Sequence, residues 1–402
     1  MGVTLTHQYL SCYNKQMTGN SAKHLIRTAT PPNRFPILVA IFLVVILVVS
    51  LPGCCWFTHP KKKEKKASKT EAGSNQLTCP LCGRAVSGQP DIDRRPLAVK
   101  VENDPAARPQ SGLDGACVVY EEVTEAGITR FMAIYLCRDV GVIGPIRSSR
   151  PADIDLLFPY SALFCHCGGG DQTLQMIKLS GIADLDQFAW PAAYHRTRDR
   201  RAPHNLYAST ESLRNAGNGA FPFHGEVSKP FEFLNDKEQA KMEGDRASEI
   251  KRAAANQANP SPSYSPAMTV VNNVYIPYIS TCAVRYTYDS STGRFMRFVA
   301  GKPHIDRETS QQLAADSVIV QYVTEVASGI VDVKGADSPE LGVLGSGRAQ
   351  VFVRGRKIDA NWQKNTREEH TRYTDNSGNV IKLKPGITWI ELVPVSKQAT
   401  FD

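Results

Sequence analysis

The sequence predicts an α+β protein: an N-terminal mixed α/β domain on a central sheet, followed by a smaller β-rich C-terminal domain. Three observations predict it. Strand-like apolar runs alternate with helical stretches between residues 91 and 233. A charged, Ala-rich stretch without proline then occupies 235–256. Short β runs, punctuated by turns such as Asp289-Ser290-Ser291-Thr292-Gly293, fill 266–397.

The elements follow in chain order. Residues 1–34 read as a disordered, basic n-region, and 35–57 (FPILVAIFLVVILVVSLPGCCWF) as a membrane segment. The apolar stretch is long enough to cross a bilayer core of about 30 Å. It ends in Leu51-Pro52-Gly53-Cys54, which has the form of a lipoprotein cleavage box. Two readings stay open: a cleaved signal peptide with Cys54 lipidated, or an uncleaved transmembrane helix. Residues 58–90 read as a Lys-rich tether carrying a CxxC segment.

In the N-terminal domain the strands expected are Leu97–Glu102, Cys117–Glu122, Arg130–Cys137 and Ser161–Cys167. Helices are expected from Gln172 to Leu179, after a triple-glycine turn, and from Thr210 to Asn215. Residues 234–265 form a helical linker closed by a Pro/Ser turn. Beyond it, strands are expected at Met268–Ile279, Ala283–Tyr288, Arg294–Val299, Val318–Thr324, Ala349–Val353 and Thr388–Val393.

The formal charge of +8 is local. Residues 1–34 carry +4 and residues 61–71 another +4, so residues 72–402 balance 37 basic against 37 acidic side chains. A nucleic-acid-binding body would carry its basic excess in the folded part, so no nucleic-acid partner is expected. The excess flanks the membrane segment instead, where it can meet anionic head groups. By count the six lysines after the segment would keep the body inside the cell. The basic n-region, apolar run and cleavage box together read as an export signal, and the body is placed outside the cytoplasmic membrane.

Cys79-Pro80-Leu81-Cys82-Gly83 resembles one zinc knuckle, but a structural zinc takes four ligands and no second CxxC exists. No metal is therefore expected here, and a local disulfide or two unpartnered thiols is the reading taken. In Cys165-His166-Cys167-Gly168-Gly169-Gly170, Gly168 and Gly169 lead into a helix whose N-terminus can hold an anion. Gly144-Pro145-Ile146-Arg147-Ser148-Ser149-Arg150-Pro151 sets two arginines and two hydroxyls in a stiffened loop. With Arg130 they form a candidate oxyanion site, because guanidinium forks bind phosphate and carboxylate bidentately. His166, His204 and Asn205 are the candidate acid–base residues, and His304 beside Asp306 is a weaker one. No GxSxG elbow, P-loop or HExxH motif is present. No cofactor is called for.

Several strings carry a resemblance. RRPLAVKVENDPAARPQSGL at 94–113, GITRFMAIY at 127–135, IGPIRSSRP at 143–151, APHNLY at 202–207 and KLKPGITWIELVP at 382–394 resemble the YerB-like bacterial lipoproteins, domain-of-unknown-function family 3048. CPLCG at 79–83, VVYEE at 118–122, ALFCHCGG at 162–169 and YDSSTGRFMRFVAGKPHIDRETSQQL at 288–313 extend the resemblance. It implies a two-domain envelope protein with an N-terminal sorting signal, and no chemistry. The function expected is a membrane-tethered body binding an anionic small molecule or cell-wall polymer. An envelope hydrolase or transferase on the same ligand class, and a non-catalytic protein-interaction scaffold, are the alternatives.

Overall fold

The computed structural model describes residues 76–256, 268–331 and 335–402. The apolar segment with Cys54, the lysine tether to residue 75 and the Pro/Ser turn of the linker lie outside them. Among the described residues no helix is long and apolar enough to cross a membrane.

Among the described residues the N-terminal half contributes five strands to the main sheet, β1 Leu97–Glu102, β2 Val118–Val123, β3 Thr129–Tyr135, β4 Leu163–His166 and β5 Ala183–Asp186, and a separate short pair, His195–Arg196 with Leu206–Tyr207. Four helices accompany or follow them: α1 Pro151–Leu157, α2 Asp171–Ser180, α3 Thr210–Ala220 and α4 Asp236–Asn256. The C-terminal half adds β6 Met268–Val270, β7 Asn273–Ile276, β8 Val284–Asp289, β9 Arg294–Val299, β10 Ser317–Val331 and β11 Asp337–Gly342. It ends with β12 Gly345–Val353, β13 Arg356–Lys364, β14 Arg372–Asp375, β15 Thr388–Pro394 and β16 Thr400–Phe401.

The two halves share one sheet. Its order is β14-β13-β12-β10-β15-β2-β3-β1-β4-β5, with β11 paired to β10 and β6 to β13. The join is β15, which lies parallel to both β10 and β2. Pairing is otherwise antiparallel through β2, β3 and β1, then parallel through β1, β4 and β5. Every residue of β1, β2, β3 and β15 is buried, because the sheet is covered on both faces by separate apolar clusters. That is why these strands read as continuous apolar runs.

Charged residues inside such strands need partners. Lys100 on β1 is fully buried and bonds the carboxylates of Glu122 on β2 and Asp153 on α1, the latter at 2.7 Å. Burial, with Asp153 beside it, pushes Glu122 up to about 7. Asp153 also accepts the Arg150 N–H at 2.6 Å, closing the first turn of α1. That helix was not foreseen, since Pro151 at its first position reads equally as a loop residue. The charged helix α4 was foreseen, and ion pairs hold it: Glu238 to Lys382, Glu243 to Arg354 and Glu249 to Arg356, at 2.7–3.1 Å.

A second, antiparallel sheet contains β9-β8-β7-β16. Buried and half-buried residues alternate along β8 and β9, so one face packs inward. From that face Arg297 enters the space above β2 and β15. It pairs with Glu121 at 2.5 Å and Glu391 at 2.9 Å, and all three side chains are fully buried. The Tyr286 hydroxyl bonds Glu391 at 2.6 Å, and the Arg297 guanidinium lies 4.3 Å from the Trp389 ring centroid.

Glu121 and Glu391 are register partners on adjacent parallel strands. Burial, and then Glu121, push Glu391 up to about 8. Arg297→Ala should lower the unfolding free energy by about 3–5 kcal/mol, since it leaves two buried carboxylates without a cation. Urea unfolding measures this. A loss below about 1 kcal/mol would show that apolar contact alone joins the two sheets.

Candidate functional site

The site is built where the carboxyl end of β4 meets the loop before α1. The arginine loop is stitched to the sheet by backbone bonds: the Arg147 N–H donates to the Lys100 carbonyl at 3.0 Å, and the Cys167 N–H to the Arg147 carbonyl at 3.0 Å. The glycine turn is stitched to the loop in the same way. The Gly168 carbonyl accepts the Ser149 N–H at 2.9 Å, the Ser149 hydroxyl at 3.1 Å and His166 Nδ1 at 2.9 Å. Gly168 has φ +66°, and a Cβ on Gly169 would sit 2.5 Å from Ser149 Oγ, so both positions require glycine.

These elements enclose a cleft of about 550 Å³. Arg130, Arg147, Ser148, Arg150, Gly168 and Gly169 all line it, together with Gly170, Asp171 and Leu174 of α2. Ser149 is fully buried and serves the Gly168 carbonyl instead. Residues not singled out from the sequence complete the wall: Glu125, Phe188, Val331 and Ser338. Glu125 stands in the Thr124–Ile128 turn between β2 and β3, five positions before Arg130; an acid so close to a candidate arginine was the available signal. Ser338 comes from β11, more than 200 residues away in sequence, and nothing local marks it.

The electrostatics are uneven. Arg130 and Arg150 are about 5% and 7% exposed, and both pair with the same oxygen of Glu125, Arg130 at 3.3 Å. The other oxygen of Glu125 accepts the Ser338 hydroxyl. Nε of Arg130 and Nε of Arg150 are buried without hydrogen-bond partners among the described residues. Burial, then the Arg150 charge, bring Arg130 down to about 9. Burial opposes the charge of Glu125, but Arg130 and Arg150 outweigh it and hold the carboxyl below its usual range. Helix α2 begins at the cleft with Gly170 as its N-cap and no side-chain cap; Asp171 is inside the helix and exposed.

The remaining candidates sit elsewhere. His166 is fully buried, with Nδ1 facing the Gly168 carbonyl and Nε2 at 2.8 Å from Asp184. Both ring nitrogens are committed, so its place is to orient the glycine turn. Asn205 is tied by Arg196 to its oxygen and by the Thr197 carbonyl to its nitrogen, both at 2.9 Å. His204 Nδ1 bonds Glu102 at 2.9 Å, and the other oxygen of Glu102 accepts Arg147 Nε at 2.9 Å. His204 is thus coupled to the cleft through one carboxylate. His304 belongs to the buried Arg297 network: it accepts Arg297 Nε at 3.0 Å, and burial with that cation keeps it neutral.

A second hollow, of about 570 Å³, is lined by Arg108, Pro109, Lys302 and His304 among others. There Arg108 is already bonded to Asn103 and to the Thr281 carbonyl. The unpartnered guanidinium nitrogens distinguish the arginine cleft from this hollow.

The expectation for the CxxC segment needs correction. Residues 79–82 are packed into the body, with Cys79 and Cys82 buried, and Cys117 and Cys137 meet them. The set of four that local spacing lacked is supplied by the ends of β2 and β3.

Burial disfavours the His166 cation, yet the Asp184 hydrogen bond and charge, with Asp186, raise its pKa overall. The folded pKa therefore exceeds the unfolded value of about 6.5, and the stabilisation is full below that pH and fades as pH climbs through the folded pKa. Urea unfolding of the wild type and His166→Gln across a pH series should show a gap that narrows upward from about pH 6.5. A gap independent of pH would mean that folding leaves the His166 pKa unchanged, and one that widens upward would mean that the buried ring is held neutral.

Residues 81–223 match the N-terminal domain, and residues 274–390 the C-terminal domain, described as "Protein of unknown function (DUF3048)". A protein named "Putative lipoprotein YerB" from Bacillus subtilis (strain 168) is 29% identical over 332 residues, covering 80% of this chain and 87% of the relative. The crystal structure of the YerB protein from Bacillus subtilis aligns with a TM-score of 0.66 at 23% identity, over 81% of this chain and 100% of that one. This last likeness is one of fold.

Proposed function

The chain belongs to the DUF3048 family, and for it we propose a membrane-tethered envelope protein whose body binds an anionic ligand in the arginine cleft. One observation carries the reading: two nearly buried guanidiniums share a single carboxylate, and the Nε of each lacks a partner among the described residues. A buried cation without full compensation is costly, and an oxyanion entering the cleft would relieve both the charge and the missing hydrogen bonds. Arg147, half-buried at the wall, adds a third fork, and the uncapped start of α2 adds backbone N–H groups.

The rim favours a ligand that is more than an inorganic ion. Phe188 and Val331 are about 72% and 58% exposed beside the arginines, a surface suited to a sugar ring or an apolar tail. A phosphorylated metabolite or a phosphate-bearing cell-wall polymer has both parts. The tether rests on the apolar segment ending at Cys54, and the relative named a lipoprotein supports it.

The Glu102–His204 pair supports a second reading, an envelope hydrolase or transferase in which His204 moves a proton while the arginines hold the developing charge. Turnover of a phosphodiester probe that disappears in His204→Gln, with anion binding retained, would favour it over binding alone.

Calorimetric titration of the full chain in detergent with inorganic pyrophosphate tests the main reading. Arg147→Lys and Arg130→Lys should each weaken binding by about 1–3 kcal/mol, because the charge stays while the bidentate fork is lost. Unaltered affinity in both variants, or no binding by the wild type, would overturn it.

The anchor has its own test. The protein should resist salt washing of membranes and be released by detergent. If Cys54 is lipidated, Cys54→Ala abolishes labelling by a radioactive fatty acid and changes mobility in gels. Unchanged mobility and labelling would assign the uncleaved span, and recovery in the soluble fraction without detergent would contradict both anchors.

A further inference from the structure

We propose that Cys79, Cys82, Cys117 and Cys137 form a closed tetrathiolate site for one structural zinc ion. The four come from three places. Cys79 and Cys82 flank a tight turn in which the Gly83 N–H bonds the Cys79 carbonyl at 2.8 Å and the Cys79 N–H bonds the Arg84 carbonyl at 2.8 Å. Gly83 has φ +68°, and a Cβ there would lie 2.6 Å from the Phe233 ring, so the turn needs glycine. Cys117 immediately precedes β2, and Cys137 stands two residues beyond β3. Antiparallel pairing of these strands brings the start of one beside the end of the other.

The sulfur positions fit a metal better than they fit disulfides. Sγ separations are 3.9 Å for Cys79–Cys117, 3.7 Å for Cys117–Cys137 and 3.6 Å for Cys82–Cys137. All four sulfurs lie within 4.8 Å of one another. Four thiolates at about 2.3 Å from a zinc ion stand about 3.8 Å apart when the geometry is tetrahedral. A disulfide needs about 2.05 Å between sulfurs. The contacts also run on from one thiol to the next, so no two pairs are singled out.

The surroundings suit a structural ion rather than a catalytic one. Cys79, Cys82 and Cys117 are buried and Cys137 is half-buried, which leaves a tetrahedral site without an open position for water or substrate. Arg84, two residues beyond Cys82, pairs with Asp316 through Nη2 at 3.5 Å and keeps a buried Nη1 without a partner among the described residues, so it can partly offset the net negative charge of a zinc tetrathiolate.

The ion would also sit at a junction. The Cys82 carbonyl accepts the Gly386 N–H at 2.8 Å, and the Cys117 carbonyl accepts the Thr388 N–H at 3.2 Å. Zinc here would staple the segment that enters the body to β2, β3 and the approach to β15. Binding free energy of that kind becomes folding free energy.

The test uses the full chain purified in detergent under argon without added reductant. Elemental analysis should find about one zinc per chain, and cobalt exchanged into the site should show the intense visible bands of tetrahedral thiolate coordination. Cys79→Ser and Cys137→Ser should lose the metal, while Cys165→Ser, outside the cluster, should keep it. Should the first two variants fail to fold, wild-type protein treated with a mercurial should release zinc as these four cysteines, located by peptide mapping, become reactive. Disulfide-linked peptides among the four, or four free thiols without metal, would overturn the proposal.

Discussion

The fold depends on one buried cation. Strands β2 and β15 lie side by side in parallel, and their pairing sets Glu121 next to Glu391, both fully buried. Two adjacent carboxylates there repel each other and are poorly solvated. Arg297, delivered by β9 of the second sheet, answers both at once, and the rings of Trp389, Tyr286 and Phe131 surround its guanidinium at 4.3–5.5 Å. The parallel pairing that joins the two halves and the docking of the second sheet are therefore one constraint. Burial alone works against the Arg297 charge, but Glu121 and its neighbours reverse that and hold it firmly protonated.

The arginine cleft inherits its rigidity from the same sheet. β1, β3 and β4 carry or flank the arginine loop and the glycine turn, and the Gly168 carbonyl collects bonds from Ser149 and His166. The guanidiniums are therefore held in place before any ligand, and the proposed anion would cost them little ordering. The C-terminal half closes the cleft through Ser338, which fixes the oxygen of Glu125 that the arginines leave free. The cleft thus draws on both matched domains, although its charged residues come from the first.

Polar groups buried in the sheet fall into two kinds. Lys100 with Glu122 and Asp153, and Arg297 with Glu121 and Glu391, each set one cation between two acids; burial pushes one acid of each pair, Glu122 to about 7 and Glu391 to about 8, toward its neutral form, so these networks approach balance and specify how elements meet. Arg130 and Arg150 with Glu125 are unbalanced, with two cations on one carboxylate. Balanced networks are what a stable core requires, and the unbalanced one is where a ligand has something to complete.

The sequence by itself determined the fold class, most strand positions and the arginine loop. Runs such as LAVKVE and RFMRFV read as strands, and Arg147 and Arg150, three apart in sequence, sit in a loop that Gly144, Pro145 and Pro151 restrict. It also marked Gly168 and Gly169, since a turn feeding a helix has few other residues to use. Tertiary structure decided the rest. Whether the halves stand apart or share a sheet depends on β15 choosing β2, a pairing between segments about 270 residues apart. Which arginines are compensated depends on Glu125, from the turn after β2, and Ser338, from β11, arriving at one place. His166 looked like an acid–base candidate until its two ring nitrogens met Gly168 and Asp184. The CxxC turn lacked partners by spacing, and acquired them because antiparallel strands return to where they began. In each case the deciding contact is long-range, and sequence spacing carries no record of which distant segments the core will bring together.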